Sequence, residues 1–277
     1  MTPCDLEKDV RQAHQKIQNI IGDRAPKVAL LLGSGLGSLA DQLQDPITIQ
    51  YADITGFPVP SVKGHEGELV LGTLEGTEVL CLKGRLHAYE TSDFSPLKTL
   101  IRTVQALGVE TFLSTSSSGS LHADMPPGSI MVITDHINLM GVNPLIGAND
   151  DHFGPRFPDL GNAWDHDLST QIFKTADALK IKVFDGVYVG FRGPTFETPA
   201  EVKMARLIGG DAVGMSAIPE NIIANHCGLK FVGCAVITNF AAGMKDETLS
   251  HDHTLKGAEL AYTNLIKLVK AFVKGVS

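Results

Sequence analysis

The chain has 277 residues, 43% of them hydrophobic and 19% charged, enough to bury a large core as an ordinary globular protein. Its formal charge of −8 argues against holding nucleic acid through the phosphates, which needs a surplus of Lys and Arg on one face, so an anionic ligand would require a local positive site. Cys4, Cys81, Cys227 and Cys234 contain no C-x-x-C pair and are too few for a disulfide framework, which predicts reduced, mostly buried thiols.

The start is acidic and polar (Asp5, Glu7, Lys8, Asp9) rather than signal-like, and no run is long enough to cross a membrane; a cytoplasmic protein with no membrane partner is expected. Leu6, Val10, Ala13, Ile17 and Ile20 recur at steps of three and four, the stripe of an amphipathic helix that Gly22 and Pro26 end. Residues 1–25 thus form an N-terminal helix and lead-in. Residues 27–32 are an almost unbroken apolar run leading into Gly33, Gly35 and Gly37, read as a buried strand, a tight turn and a helix to about Leu43. Residues 68–74 and 77–82 flank Glu75-Gly76 as the arms of a β-hairpin. Pro96 opens a helix that runs to Leu107 and is closed by Gly108. Further strands are expected at 111–113, 129–134, 187–189 and 231–238, with helices near 167–179, 199–208 and 219–227 and a closing helix over 254–273. This alternation predicts a single α/β domain spanning 1–277, with a central, parallel or mixed sheet flanked by helices. Residues 138–162, rich in Gly, Pro, Asn and Asp, exceed a simple connection and read as a functional loop.

Three clusters hold residues suited to chemistry, the third made of three separate segments. Gly33-Ser34-Gly35-Leu36-Gly37-Ser38 lies where a strand yields to a helix, so its amides suit either an anion or a plain turn; Ser38 replaces the third glycine of a dinucleotide loop. In Lys83-Gly84-Arg85-Leu86-His87-Ala88-Tyr89-Glu90, an extended backbone points Arg85, His87 and Tyr89 to one side. A guanidinium beside an imidazole suits an oxyanion, although each residue alone fits a solvated strand end. Gly193-Pro194-Thr195-Phe196-Glu197-Thr198, Gly214-Met215-Ser216 and Ile237-Thr238-Asn239 sit at strand ends or turns. There an acid, an amide and an aromatic ring would read a purine, or simply cap turns. Gly214-Met215-Ser216-Ala217-Ile218 lacks the last glycine of a G-x-S-x-G elbow. His251-Asp252-His253 has no accompanying ligand framework, so no metal is expected.

In this order along the chain, Gly33-Ser34-Gly35-Leu36-Gly37, Gly64-His65-Glu66-Gly67, the segment from Gly84 to Glu90, the segment from Gly193 to Thr198, Gly214-Met215-Ser216 and Ile237-Thr238-Asn239 resemble the trimeric class of purine nucleoside phosphorylases. The resemblance extends from about Lys27 to the last helix. It implies reversible phosphorolysis of 6-oxopurine (deoxy)ribonucleosides to the base and (deoxy)ribose 1-phosphate, a glycosyltransferase reaction of purine nucleoside metabolism and salvage. Also implied are a homotrimer, inorganic phosphate as co-substrate and no metal or organic cofactor. By the same resemblance Ser34, Arg85, His87, Ser216 and the Ser117 amide bind phosphate, with His65 near the entrance. Tyr89, Met215 and His251, in preference to His253, face the ribose, while Phe196, Glu197 and Asn239 hold the base. Tyr188 and Phe157 line the pocket, Phe157 by reaching into a neighbouring subunit. Asn239, Glu197 and His87 are the expected catalytic groups.

Where the family usually has Asn-Ala-Ala-Gly, this chain has Ser116-Ser117-Ser118-Gly119. A backbone contact to phosphate survives that change, and the hydroxyls are expected either to meet the nucleoside or to bond nearby backbone. Asn239 separates the chain from methylthioadenosine phosphorylases, which would be expected to carry Asp there. A non-catalytic purine-binding protein would keep the pocket and lose turnover.

Overall fold

A computed structural model describes residues 3–33, 37–62, 65–245 and 249–276, with the side chains of residues 3–5 and 251–253 outside the description. Helix α1 (Pro3–Ile21) is followed by strand β1 (Val28–Leu31), a 3-10 turn at Gly37–Gln42, and strands β2 (Gln44–Gln50), β3 (Glu68–Leu74) and β4 (Thr77–Lys83). Then come α2 (Ser95–Ala106), β5 (Thr111–Ser120), β6 (Ile130–Asn138), α3 (His166–Ala178), β7 (Val183–Gly190) and α4 (Pro199–Leu207). The chain closes with β8 (Ala212–Gly214), α5 (Ile218–His226), β9 (Lys230–Phe240) and α6 (His251–Gly275). The expected helix up to Leu43 is only the 3-10 turn, and strands β2 and β8 had no hydrophobic signature.

The nine strands among the described residues join one mixed sheet in the order β2-β3-β4-β1-β5-β8-β7-β6-β9. Because β9 also pairs with β5, the last five strands of that order close into a ring. Alternation along each strand sends residues to opposite faces. Ala29, Leu31, Leu80 and Leu82 meet α1, α2 and α5 through Ile17, Leu100, Val104 and Ile222. Val28, Leu30, Val79 and Cys81 share a second core with Ile172 of α3 and Leu265 and Phe272 of α6. The α/β architecture with helices on both sides of a mixed sheet is therefore as the alternation of elements predicts.

Strand β5 positions the site. One edge follows β9 in parallel from Thr111 to Ser120. The other edge is shared: β1 pairs with Thr111 to Ser114, and β8 joins only at Gly119 and Ser120. Between them, residues 115–118 have no strand on that edge, so backbone groups there are left for side chains or a ligand. Such a change of partner at strand ends is where α/β proteins open a crevice.

Candidate active site

A cavity of about 340 Å³ opens at this gap. Its walls come from the end of β1 (Gly33), the segment after β4 (Arg85, His87, Tyr89), Ser116 to Gly119 of β5, the 194–197 turn, Met215 and Ser216 after β8, and Asn239 of β9. Gly33 is required by the closeness of β5: a Cβ there would lie 2.7 Å from the Thr115 carbonyl oxygen. The Gly33 amide instead donates to Thr115 Oγ1 at 2.9 Å, which fixes the turn against β5. Gly193 has φ +73°, and a Cβ would press to 2.4 Å from Met215 Sδ. Only glycine lets the 193–197 turn approach this wall.

One end of the cavity is cationic. Arg85 is 2% exposed, and its Nη2 donates to the Thr115 carbonyl at 2.7 Å and to Ser114 Oγ at 3.2 Å. Its Nε lies 3.7 Å from Glu220 Oε1 in the first turn of α5. His65 Nδ1 accepts from the Arg85 amide at 3.3 Å, and the His65 and His87 rings meet edge to face at 5.2 Å. His87 Nδ1 is 2.9 Å from Glu90 Oε1. Burial pushes the Glu90 carboxyl upward, but hydrogen bonds from His87 and Ser61 outweigh it and bring the pKa down to about 2. An ionised carboxylate only accepts, so His87 carries its proton on Nδ1 when neutral and leaves Nε2 for a ligand. His87 also stacks on Tyr89 at 4.7 Å. Burial, then the Glu90 charge, pushes the Tyr89 phenol up to about 12, so it stays a donor at neutral pH.

The other end combines an acid, an amide and an aromatic ring. Glu197 is 7% exposed, and burial raises its pKa above the usual carboxylate range. Asn239 is held on both sides of its amide: Oδ1 accepts from Thr238 Oγ1 at 2.7 Å and Nδ2 donates to the Phe240 carbonyl at 2.9 Å. One N–H and one lone pair remain available. Phe196, 38% exposed, supplies an open aromatic face. The Ser216 amide donates to Tyr188 Oη at 3.2 Å, and Ala217 adopts φ +66° just before α5. A non-glycine residue held in that region is a feature of ligand-binding turns. Among the described residues, no three His, Cys, Asp or Glu side chains converge as a metal-binding group.

The structure thus brings His65, Arg85, His87, Tyr89, Phe196, Glu197, Met215, Ser216, Ser117 and Asn239 to one cavity. Four residues of the expected set are not on the cavity wall as described. Ser34 lies outside the described residues, as does the side chain of His251, although Thr254, one turn further along α6, is on the wall. Tyr188 corrects the sequence expectation: it is fully buried behind the wall, its hydroxyl engaged by the Ser216 amide rather than turned to the cavity. Phe157 is 87% exposed in the 139–165 connection, away from this chain's own cavity. The serine run is also corrected. The Oγ atoms of Ser116, Ser117 and Ser118 are closed to solvent and have no hydrogen-bond partner among the described residues. The three residues line the cavity, but their hydroxyl oxygens are not exposed in it and bond no described backbone group. Sequence reasoning missed Val62, Thr254 and Glu220, none of which lies in a pattern that distinguishes it from a core or turn residue, and it named Thr238 only as part of the Ile237-Thr238-Asn239 motif, without a role.

A strand-switch cavity with a cationic end and an acid–amide end defines an α/β protein built to hold an oxyanion and a polar ring side by side. The chain belongs to the phosphorylase superfamily, whose family model matches residues 27–274. It is 48% identical over 249 residues to purine nucleoside phosphorylase 1 of Bacillus subtilis, covering 90% of this chain and 92% of that one. A schistosome purine nucleoside phosphorylase solved with hypoxanthine superposes with a TM-score of 0.91 at 34% identity, covering 98% of both chains. Isoform 2 from Schistosoma mansoni, solved with cytosine and ribose-1-phosphate, gives 0.92 at 35% identity over 98% of this chain and 97% of that one.

Proposed function

We infer that the cavity carries out phosphorolysis of purine nucleosides, with 6-oxopurine nucleosides such as inosine as the substrates it suits. The observation that carries this reading is the pairing within one cavity of Arg85, His65 and His87 at one end with buried Glu197 and Asn239 at the other. The relatives solved with hypoxanthine and with ribose-1-phosphate support it, because these are the two products of inosine phosphorolysis.

The chemistry follows from the geometry. A phosphate oxygen attacks the anomeric carbon as the bond from that carbon to N9 of the base breaks. The sugar gains positive charge in the transition state and the departing purine gains negative charge. Phosphate held by Arg85, His87, Ser216 and the Ser117 amide supplies both the nucleophile and the charge that stabilises the sugar. Asn239 would donate to the purine where its electron pair collects, near N7 and O6, and Glu197 would accept from N1–H. Positioning and electrostatics then account for catalysis without a covalent enzyme intermediate, and no metal or organic cofactor is needed. Adenosine lacks N1–H and would face Glu197 with a ring acceptor, a mismatch that leaves buried groups unpaired.

The reading extends to a cytoplasmic homotrimer working in purine salvage, in which exposed Phe157 completes a neighbour's cavity. Among the described residues no helix is long and apolar enough to cross a membrane. The test is release of hypoxanthine from inosine with and without phosphate. The expected result is ribose 1-phosphate and hypoxanthine in equal amounts, only when phosphate is present. Phosphate-independent release, or comparable turnover of adenosine, would overturn the reaction or the base assignment respectively.

A further inference from the structure

Beneath the cationic end, Arg85 and Glu220 form a pair whose side chains are each 1% exposed. Its geometry is unlike a finished structural salt bridge. The closest approach, Nε to Oε1, is 3.7 Å, too long for a hydrogen bond. Arg85 Nε and Nη1 find no acceptor, and Glu220 Oε1 and Oε2 find no donor, among the described residues. Only Nη2 is used, drawn inward to Thr115 and Ser114 of β5. The Tyr188 hydroxyl oxygen accepts from the Ser216 amide, and its O–H makes no hydrogen bond to either Glu220 oxygen among the described residues.

A buried pair with four idle polar atoms is costly as pure scaffolding. It makes sense if the guanidinium is shared between two anions. Resting on the reading of the cavity as a phosphate site, we propose that Glu220 is a positioning residue: the counter-ion that holds Arg85 in a retracted, neutralised pose until phosphate competes for it. Glu220 touches no substrate. Its place in the first turn of α5, four residues after Ser216, puts this counter-ion on the helix that directly follows the turn carrying another phosphate-cradle residue. Phosphate affinity is then set by a contest between carboxylate and phosphate for one guanidinium, which keeps the site from holding the anion too tightly to release ribose 1-phosphate.

The test is Glu220→Gln in the full chain, which removes the charge and keeps the shape. Phosphate KM and the inhibition constant of sulfate, an unreactive anion of similar form, should both fall about tenfold, the scale of one uncompensated buried charge, while the inosine KM stays within twofold. Glu220→Asp, which keeps the charge, should leave the phosphate KM within about threefold of wild type. Phosphate and sulfate constants unchanged or raised in Glu220→Gln would overturn the proposal, since a merely structural carboxylate would not tighten anion binding. If the variant folds poorly in anion-free buffer, sulfate should restore its cooperative melt by replacing the lost counter-charge; failure of sulfate to do so would also overturn it. Wild-type enzyme assayed alongside separates the two readings. Absence of phosphate-dependent inosine cleavage in wild type would sink the assignment of the cavity, whereas active wild type with unmoved constants in the variant would sink only the counter-ion role.

Discussion

Replacing Ser118 by alanine is expected to stabilise the protein. Its hydroxyl oxygen is buried with no partner among the described residues, and the residue as a whole is 3% exposed. Stripping a hydroxyl of water without replacing the hydrogen bond costs about 1–3 kcal/mol. Alanine keeps the Cβ and removes only the oxygen, so at least about 1 kcal/mol should return, a rise in Tm of about 2–4 °C for a chain of this size. Ser114 is the internal control. It lies on the same strand, but its Oγ accepts from Arg85 Nη2 at 3.2 Å. Ser114→Ala should therefore lower Tm, with opposite sign for the same chemical change. Thermal melts of both variants, with specificity constants for inosine, guanosine and xanthosine, test the reasoning together. The nucleoside ratios of Ser118→Ala should stay within twofold of wild type, because its oxygen is not exposed in the cavity. A drop in Tm for Ser118→Ala, or altered nucleoside ratios, would show that the hydroxyl has a partner and refute the argument.

Arg85→Ala should raise the phosphate KM by about 10- to 100-fold, the scale of a lost charged hydrogen bond of about 1.5–3 kcal/mol; unchanged phosphate saturation would remove Arg85 from the site. Because the folded pKa of Glu90 is depressed to about 2, its contribution to stability is complete above the ordinary carboxylate pKa of about 4.5 and drains away as pH falls towards 2. Glu90→Gln should flatten that acid limb of Tm against pH, and an unaltered limb would count against the His87–Glu90 pair. Thr238→Val removes the donor that fixes Asn239 Oδ1 and should lower kcat for inosine about fivefold with phosphate KM unchanged; parallel changes in both constants would mean general damage. Phe157→Ala should cut turnover in the assembled enzyme without lowering Tm, since the ring is 87% exposed in the single chain. A fully active monomer in sedimentation and dilution assays would exclude the shared site.

Elements with apolar periodicity were legible from residues alone, and those without it were not. Helix α1 and the β3–β4 hairpin lie where the pattern puts them, the latter turning through Glu75 and Gly76 at φ +52° and +88°. Strand β5 was readable only over 111–113 because Ser114 to Ser120 has no apolar residue, although neighbouring strands bury nearly all of it. Strand β2 contains Pro46 and mostly exposed polar side chains, as an edge strand can. The site residues were found as motifs at strand ends. The contacts behind them were not: Glu220 meets Arg85 from 135 positions away, and Tyr188, expected at the pocket, instead accepts from the Ser216 amide 28 positions on. The serine run shows the opposite failure: its composition suggests polar contacts, whereas the three hydroxyl oxygens are buried without a partner among the described residues.

Strand pairing fixes Asn239 relative to the acceptors that hold Arg85. Ser118 of β5 pairs with Ile237 of β9, but Gly119 pairs with Asn239, so Thr238 is an extra residue in the ladder. Such a bulge redirects the side chains beyond it. Without it, side chains past Ile237 would keep strict alternation, and a shift of one residue carries a side chain to the opposite face. The extra residue also supplies the means of holding the result: Thr238 Oγ1 donates to Asn239 Oδ1 at 2.7 Å and sits 3.3 Å from the Ser118 carbonyl. On the neighbouring stretch of the same strand, Ser114 and Thr115 anchor Arg85. The group suited to phosphate and the group suited to the leaving base are thus referenced to one rigid strand, β5. For a reaction that asks the protein chiefly to hold two reactants in line, a fixed separation across five residues of extended backbone does more than any single contact at either end.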